Sequence, residues 1–316
     1  MRLYSNQAGL AEQLFAQAHP SITIRSGVSR ELPPVPYWRE LLKLKVRSLF
    51  HRAHTQRWLQ LLNSHPAFSE YVQNWPRFLY KIYRPYLTNT LDMEARLTAL
   101  TSHYQFVFQR GLGSIVAQAS HAGLTLANCE GKSGTRYQVR LRAVGTLERE
   151  GDLALQLCQD GTLLYTVAFT FCWRGEGMAV NIGCIQGART EGTLEAIRVA
   201  TRDLHGARPK QLLVTLVREL GYAFGCRRLH LVSNANRVVH NAMRQGRVSA
   251  DYDQLWQELG AALQPDGDYV LPCAPLAPLE LDGIPSKKRS EARKRHELVG
   301  TLAAEVTARL LNPQQR

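Results

Sequence analysis

The residues with the most chemical content fall in one run, 201–241, TRDLHGARPKQLLVTLVRELGYAFGCRRLHLVSNANRVVHN. Within it, His205-Gly206-Ala207-Arg208-Pro209-Lys210 reads as a tight loop feeding a helix. Gly206 gives the backbone freedom to turn, and Pro209 suits a first helical turn, where a missing N–H costs nothing. Small residues leading into a helix N-terminus expose N–H groups and the positive end of the helix dipole, which together favour an anion. Arg208 and Lys210 add two cations at the same place. The chemistry expected is a cradle for phosphate or pyrophosphate, set against the plainer alternative of a loop–helix corner with solvated basic side chains.

The elements that must hold this cradle follow from periodicity. Leu212, Leu213, Leu216, Leu220 and Ala223 recur at helical spacing and Gly225 marks a stop. A strand is expected at 228–232, then a polar turn with Ser233, Asn234 and Asn236. Upstream, alternation of apolar and polar or β-branched residues predicts strands at 137–143, 153–158, 163–173 and 178–186. Asp160-Gly161 and Gly175-Glu176-Gly177 supply hairpin turns, and a short helix is expected at 193–202. Consecutive hairpins followed by a strand–helix–strand crossover make an α+β sheet.

Before about residue 112 the text is helical. A short helix is expected at 8–18 and a proline-rich loop at 26–36. A longer helical stretch then places Leu41, Leu42, Val46, Leu49 and Phe50 on one face, with Lys and Arg opposite. Tyr80, Tyr83 and Tyr86 form an aromatic stripe suited to a core or to stacking on bases, and a helix over 93–110 carries Leu97, Leu100, His103, Tyr104 and Phe108. After the sheet come an acidic–aromatic helix beginning Asp251-Tyr252-Asp253 and including Trp256, a short strand at 269–272, and a last helix with Val299, Leu302, Val306 and Leu310 on one stripe. The N-terminal half of that last helix holds Lys287, Lys288, Arg289, Arg293, Lys294 and Arg295, cations at the end where the dipole disfavours them. Such a placement suits an anion or an acidic surface, with Asp251 and Asp253 as candidates within the chain. The organisation expected is a helical region over 1–111, an α+β domain over 112–283 and a basic helix over 284–316.

The formal charge of +13 across 316 residues favours anionic partners: a phosphorylated small molecule, nucleic acid or an anionic membrane surface. Mean hydropathy is −0.25, and no apolar run has the ~18 residues a bilayer span needs. Asn, Gln and Glu interrupt the first residues where a secretory signal needs an apolar core, so a cytoplasmic chain is expected. Six scattered cysteines without C-x-x-C spacing suggest reduced thiols rather than zinc or a redox pair. His205, His230 and His240 form no metal-spaced cluster, and no Walker, G-x-S-x-G, H-E-x-x-H or EF-hand pattern occurs.

Several spaced motifs occur together in one order: RPYL at 84–87, SHY at 102–104, HGARPK at 205–210, VSNANRVVHN at 232–241, DYDQLWQELG at 251–260, GDYVLP at 267–272 and SKKRSEARKRHEL at 286–298. In this the chain resembles the VirK/YbjX family of bacterial proteins, from about residue 40 to 311. Ala292 and His296 stand where that pattern has aromatic residues. The resemblance implies a cytoplasmic protein of a Gram-negative bacterium, linked to virulence, envelope state and tolerance of cationic antimicrobial peptides. Its residues at His103, Tyr104, Trp256, Lys287, Lys288 and Arg289 are candidates for binding a partner or substrate.

Residues 137–241 are also similar, more loosely, to the GNAT-type N-acyltransferase fold. There an antiparallel meander precedes a loop that wraps the pyrophosphate of coenzyme A, then a helix, a strand and a polar turn. The resemblance implies a helical N-terminal part packed on a mixed, mostly antiparallel acyltransferase-like sheet, with a C-terminal basic helix. It assigns Gly206, Ala207, Arg208 and Lys210 to an acyl-coenzyme A or another phosphate-bearing donor, with no metal. An opening between two parallel strands beside Gly206 would support that cofactor reading. Base and oxyanion-donor candidates for amine acylation are His205, Ser233, Asn234, His240, Asp251 and Asp253. Asp203 departs from the pattern, standing where that loop carries a cation or Gln. The alternative is a non-catalytic regulatory protein whose basic helices at 38–57 and 287–295 contact nucleic acid or anionic lipid.

Overall fold

The computed structural model describes residues 21–175, 177–188, 192–239 and 251–312. The helix expected at 8–18 and His240 lie outside them. The chain divides into two compact units, Met1–Arg84 and Pro85–Arg316.

The first unit is helical: α1 (Pro34–Phe50), α2 (Arg52–Leu62) and α3 (Ala67–Asn74), with 3-10 turns at Ile24–Gly27 and Pro76–Tyr83. Its core gathers Leu41, Leu44, Trp58, Phe68, Tyr71 and Phe78. The 3-10 turns meet closely: a Cβ on Gly27 would lie 2.6 Å from Leu44 Cδ2 and 3.0 Å from Leu79 Cβ. The outcome for α1 differs from expectation. Leu41 and Leu44 are buried, while Leu42, Val46, Leu49 and Phe50 point outward. A helix turns about 100° per residue, so neighbours 41 and 42 fall on different faces, and the core took the arc holding 41 and 44. The aromatic stripe is also divided: Tyr80 and Tyr83 belong to the second 3-10 turn, and Tyr86 to the other unit.

The second unit is α+β, as the sequence predicts. It contains α4 (Met93–Gln109), α5 (Gly113–His121), β1 (Leu124–Glu130), β2 (Arg136–Ala143), β3 (Leu153–Gln159), β4 (Thr162–Arg174), β5 (Gly177–Gly187), α6 (Thr193–Asp203), α7 (Pro209–Ala223), β6 (Arg228–Leu231), α8 (Tyr252–Glu258), β7 (Ala262–Leu263), β8 (Tyr269–Pro272) and α9 (Ser286–Leu311). Helix α4, grouped with the N-terminal helices on sequence, shares this unit with the sheet. Helix α5 and strand β1 were not expected from the pattern.

The sheet has eight strands in the order β1-β2-β3-β4-β5-β6-β8-β7. It is antiparallel except for β5 and β6, which run parallel. The β3–β4 hairpin turns on Asp160 and Gly161, both at positive φ (45° and 81°), the geometry a two-residue hairpin requires. Helix α7 crosses between the parallel strands and packs on β3 to β6, and α9 packs on α7 and β1. Apolar residues of α7 (Leu212, Leu213, Leu216, Val217, Leu220) are buried, which fixes where its N-terminus emerges.

Beneath α4 lies a buried polar hub. Asp152, 1% exposed, accepts hydrogen bonds from Tyr86 Oη and, at 2.6 Å, from Tyr104 Oη. Thr170 Oγ1 accepts from the Asp152 N–H at 3.1 Å and lies 2.9 Å from Tyr86 Oη. On α4, His103 Nδ1 accepts from Phe171 N at 3.3 Å and Ser102 Oγ from Trp173 N at 3.2 Å. The pairing of β4 with β3 ends at Phe169. The Ser-His-Tyr run therefore supplies acceptors to β4 amides beyond the end of β3, and ties α4 to the hub.

Candidate functional site around the start of α7

The loop before α7 is built as a helix stop. His205 and Gly206 adopt positive φ (54° and 81°). Gly206 N–H donates to Thr201 O at 2.8 Å and Ala207 N–H to Leu204 O at 2.9 Å, closing the end of α6. Those two amides are occupied within the loop. The groups left for an anion lie one step later. Helix α7 opens on Pro209 with no side chain capping it, so the first-turn N–H groups after Pro209 and the positive end of the dipole face outward.

Asp203, the departure from the acyltransferase loop, has a structural role. Its carboxylate accepts from Ser133 N (2.7 Å) and Tyr137 Oη (2.9 Å), and its carbonyl accepts from Lys132 N (3.0 Å). The acid clamps the β1–β2 turn against the end of α6. Burial opposes its charge, and the bonds from Ser133 and Tyr137 outweigh that and lower its pKa.

A cleft of about 710 Å³ opens between α6, the β4 residue Tyr165 and the start of α7. Arg198, Arg202, Arg208 and Lys210 line it, with Glu195 as the acid among them. Arg198 and Arg202 lie 3.5 and 3.4 Å from Glu195, and Arg208 lies 3.4 Å from Glu258 of α8. All three pairs are largely exposed and are worth little as stabilisers, which leaves these guanidinium groups available for exchange onto a ligand. On the opposite side of the loop a second cleft, about 550 Å³, is lined by Gly206, Arg208, Thr215, Arg295 and His296 among others. Its α9 residue Arg295 reaches within 3.3 Å of where a Gly206 Cβ would stand.

The pairing of the two parallel strands is short. Val180, Asn181 and Ile182 of β5 pair with Leu229, His230 and Leu231 of β6, and Val232 N still donates to Ile182 O at 3.1 Å. Beyond that β6 ends, and β5 carries an irregularity in its pairing with β4, where Ala168 faces Cys184 and Phe169 faces Ile182. Gly183 is the extra residue. The freed edge of β5 is taken by Tyr252: its hydroxyl accepts from Ile185 N–H and donates to Ile185 O, both at 2.7 Å. Arg237 stacks over the Tyr252 ring at 3.8 Å, and Trp256 Nε1 donates to Val232 O at 2.8 Å. Residues of the chain's own α8 thus cover the β5 edge beyond the end of β6.

The polar turn after β6 is stitched by acids. Asn234 N–H donates to Asp253 and its side-chain amide to Asp251, while Asn234 Oδ1 accepts from Tyr252 N. Ser233 N–H and the Asn236 side chain donate to Asp268. Asp251 also caps α8 through Gln254 N. Its pKa is lowered mainly by the Asn234 amide, with a smaller part from the charge of Lys210, which places Lys210 in the neighbourhood of Asp251. Asp251 and Asp253 thus answer to the turn, not to the cations of α9 as the sequence suggested. In α9, Glu291 faces Lys132 at 2.6 Å, Lys287 and Lys288 are exposed, and Arg289 Nε donates to Ile284 O.

The structure brings Arg208, Lys210, Asn234, Asp251, Asp253 and Trp256 to the same end of the β5–β6 pair. Ser233 and Trp256 are buried within it. His205 faces a different set of charges. Burial lowers its pKa first, and the charges of Lys132 and Lys294 lower it further; its Nδ1 is buried with no hydrogen-bond partner. His103 and Tyr104 belong to the buried hub, and His240 lies outside the described residues. Sequence reading missed Tyr252 as the residue on the β5 edge and Asp152 as the hub; each is an isolated position whose partner is more than 45 residues away. Among the described residues, no group of three or more His, Cys, Asp or Glu side chains is placed to hold a metal ion, and no helix is long and apolar enough to cross a membrane.

The chain is 26% identical over 314 residues to an uncharacterized protein, YbjX, of Escherichia coli (strain K12), covering 96% of this chain and 95% of that one. It is 23% identical over 191 residues to a protein of Mannheimia haemolytica named membrane protein LapB, covering 60% of this chain and 80% of that one. A solved cAMP-binding acyltransferase from Mycobacterium smegmatis aligns with a TM-score of 0.29 and 14% identity, over 67% of this chain and 66% of that one. Residues 35–308 match the family model described as protein of unknown function (DUF535), and the chain belongs to that family.

Proposed function

We propose that the cleft at the start of α7 binds a phosphate-bearing ligand, the nucleotide end of an acyl-coenzyme A, and that the chain serves as an N-acyltransferase in a pathway tied to envelope state and virulence. The observation that carries the reading is the uncapped, Pro209-opened N-terminus of α7, which emerges at the mouth of the parallel β5–β6 pair with Arg198, Arg202, Arg208 and Lys210 around it. Helix N-termini and weakly paired guanidinium groups are the chemistry that holds phosphate.

The thioester arm would run along the free edge of β5, and there it must displace Tyr252 from Ile185. In such a reaction the amine nitrogen attacks the thioester carbonyl, a base takes the amine proton, and the thiolate of coenzyme A leaves. Asp251 is exposed and held ionised by Asn234, which suits it to anchoring a cationic acceptor. His205, whose pKa is lowered first by burial, is the candidate base. Asn234 and Ser233 remain candidates for orienting the reacting groups.

The test is thermal unfolding with coenzyme A, acyl-coenzyme A and adenosine 3′,5′-bisphosphate. A ligand at about ten times its Kd adds about 1.4 kcal/mol to stability, a rise of a few degrees for a chain of this size. The bisphosphate alone should give most of the rise while Tyr252 holds the slot. Replacing Arg208 and Lys210 together with Ala should abolish it without lowering the melting temperature of the free protein. No rise at about millimolar ligand would refute the cradle. A rise that survives the double replacement would place the phosphate elsewhere.

A further inference from the structure

Helix α1 carries an apolar face that its own unit leaves uncovered. Val35, Trp38, Leu42, Val46, Leu49 and Phe50 are all exposed, Val35 at 80%, Leu49 at 74% and Phe50 at 81%. At about 100° per residue they occupy a continuous arc of about 120°, on the side away from buried Leu41 and Leu44. Isolated exposed apolar residues are ordinary, but six at helical spacing form a patch that marks an interaction surface. Cations border it. Lys45 lies at one edge and Lys43 at the other, while Arg39 falls within the arc between Val46 and Phe50. Arg39 and Lys43 each lie within 4 Å of Glu40. Across 34–62 the sequence has six cations, Arg39, Lys43, Lys45, Arg47, Arg52 and Arg57, against the single carboxylate of Glu40.

We infer that α1 docks on an anionic phospholipid surface, with the six apolar side chains entering the acyl boundary and the flanking Lys and Arg at headgroup phosphates. An aliphatic and aromatic stripe between rows of cations is the form of an interfacial helix. Trp38 has the amphipathic ring that prefers that depth, and Lys and Arg stems can run along the apolar layer while their heads stay in water. A second copy fits less well. Two such faces would oppose cation to cation, and one helix face is small beside the roughly 1,600 Å² of a standard interface. Nucleic acid would engage the cations and leave Leu42, Leu49 and Phe50 without an apolar partner. This inference does not rest on the ligand proposed for α7.

The experiment is co-sedimentation of the full chain with vesicles of phosphatidylcholine alone, or with about one-third phosphatidylglycerol. Binding is expected to the anionic vesicles, at least about tenfold tighter than to the neutral ones, and to weaken between about 0.15 M and about 1 M salt. Leu42→Ser with Phe50→Ser should weaken it at least about tenfold, since insertion scales with buried apolar area. Lys43→Gln with Lys45→Gln should remove most of the salt-dependent part. Brominated acyl chains should quench Trp38 emission, and Trp38→Phe should lose that quenching. The Ser variants should melt at the wild-type temperature, because the replaced side chains are exposed. The inference fails if the chain stays in the supernatant, if the Ser variants bind as wild type, or if they melt well below it. It also fails if sedimentation shows a dimer that those variants dissociate, or if the chain binds an RNA homopolymer while ignoring vesicles.

Discussion

Tyr252 Oη and the Ile185 peptide exchange two hydrogen bonds of 2.7 Å, the hydroxyl accepting from the N–H and donating to the carbonyl. One side chain from α8 thereby completes the strand edge that β6, ending at Leu231, leaves open. The ring is buried, and its pKa is raised well above the usual range, first by desolvation. The hydroxyl therefore stays protonated and remains both donor and acceptor.

Tyr252→Phe should cost about 1–3 kcal/mol, because both groups of the Ile185 peptide lose their partner in a buried place. Urea unfolding checks this. The same variant should bind the acyl arm of a thioester more readily than wild type, seen as a larger thermal shift for acyl-coenzyme A than for the bisphosphate. A stability change inside ~0.5 kcal/mol would mean the hydroxyl does not hold the strand edge.

The hub makes a second prediction. Asp152→Ala leaves the hydroxyls of Tyr86 and Tyr104 in the core without their acceptor, at a cost of about 3 kcal/mol or more. Tyr104→Phe removes one bond and should cost less than half as much. A double-mutant cycle of Tyr104→Phe with Asp152→Asn should show coupling of at least about 0.5 kcal/mol, and simple additivity would contradict the contact.

Gly183 is fixed by close approach. A Cβ there would run into the carbonyl oxygen of Glu150 and lie 3.0 Å from that of Leu87. Gly183→Ala should destabilise the chain by about 3 kcal/mol, the scale of overpacking a tight site. Gly283→Ala is the control for space, since nothing lies within 4 Å of its Cβ position and its φ is not positive. Both are read from chemical denaturation midpoints.

One buried and one half-buried group give opposite dependences on pH. Desolvation raises the Glu150 carboxyl from 4.5 to about 6, ahead of the opposing charges of Arg149 and Arg237. The folded chain then binds more protons than the unfolded chain between those values. Stability contributed by this group is present below pH 4.5 and is lost as pH rises through about 6, a change of about 2 kcal/mol. Glu150→Gln should flatten that part of the unfolding profile.

His230 works the other way. Burial, with the charge of Arg174 behind it, lowers its pKa from 6.5 to about 4. Here the unfolded chain binds the extra proton. The contribution is present above pH 6.5 and is lost as pH falls through about 4, at most about 3 kcal/mol and less by the part of the ring that stays hydrated. The difference between His230→Gln and wild type in unfolding free energy should appear over that window, and a constant offset from pH 4 to pH 7 would contradict it.

Local pattern carried much of the second unit. Alternation placed β2 to β5 within a residue or two, and helical spacing with Pro209 and Gly225 placed α7 and its stop, because these signals depend on neighbours in the chain. The motifs of the family also lay in the sequence, since they are runs of adjacent residues. Helix α5 was missed: only nine residues long and apolar on much of its surface, it has little periodic contrast.

What the chain could not settle by itself was which side of each element would be covered, and which distant polar groups would meet. Helix α1 has two apolar arcs, and the packing of the 3-10 turns and the other helices of its unit selected the smaller one, with Leu41 and Leu44, leaving Trp38, Leu42 and Phe50 outside. Asp203 read as the wrong charge for a phosphate loop until Ser133 and Tyr137, some seventy residues earlier, supplied its donors. The amides of Gly206 and Ala207 read as free until the end of α6 took them. Periodicity and turn chemistry act over a few residues and are written in the sequence; burial and hydrogen-bond satisfaction are properties of the assembled surface, and only the tertiary structure fixes them.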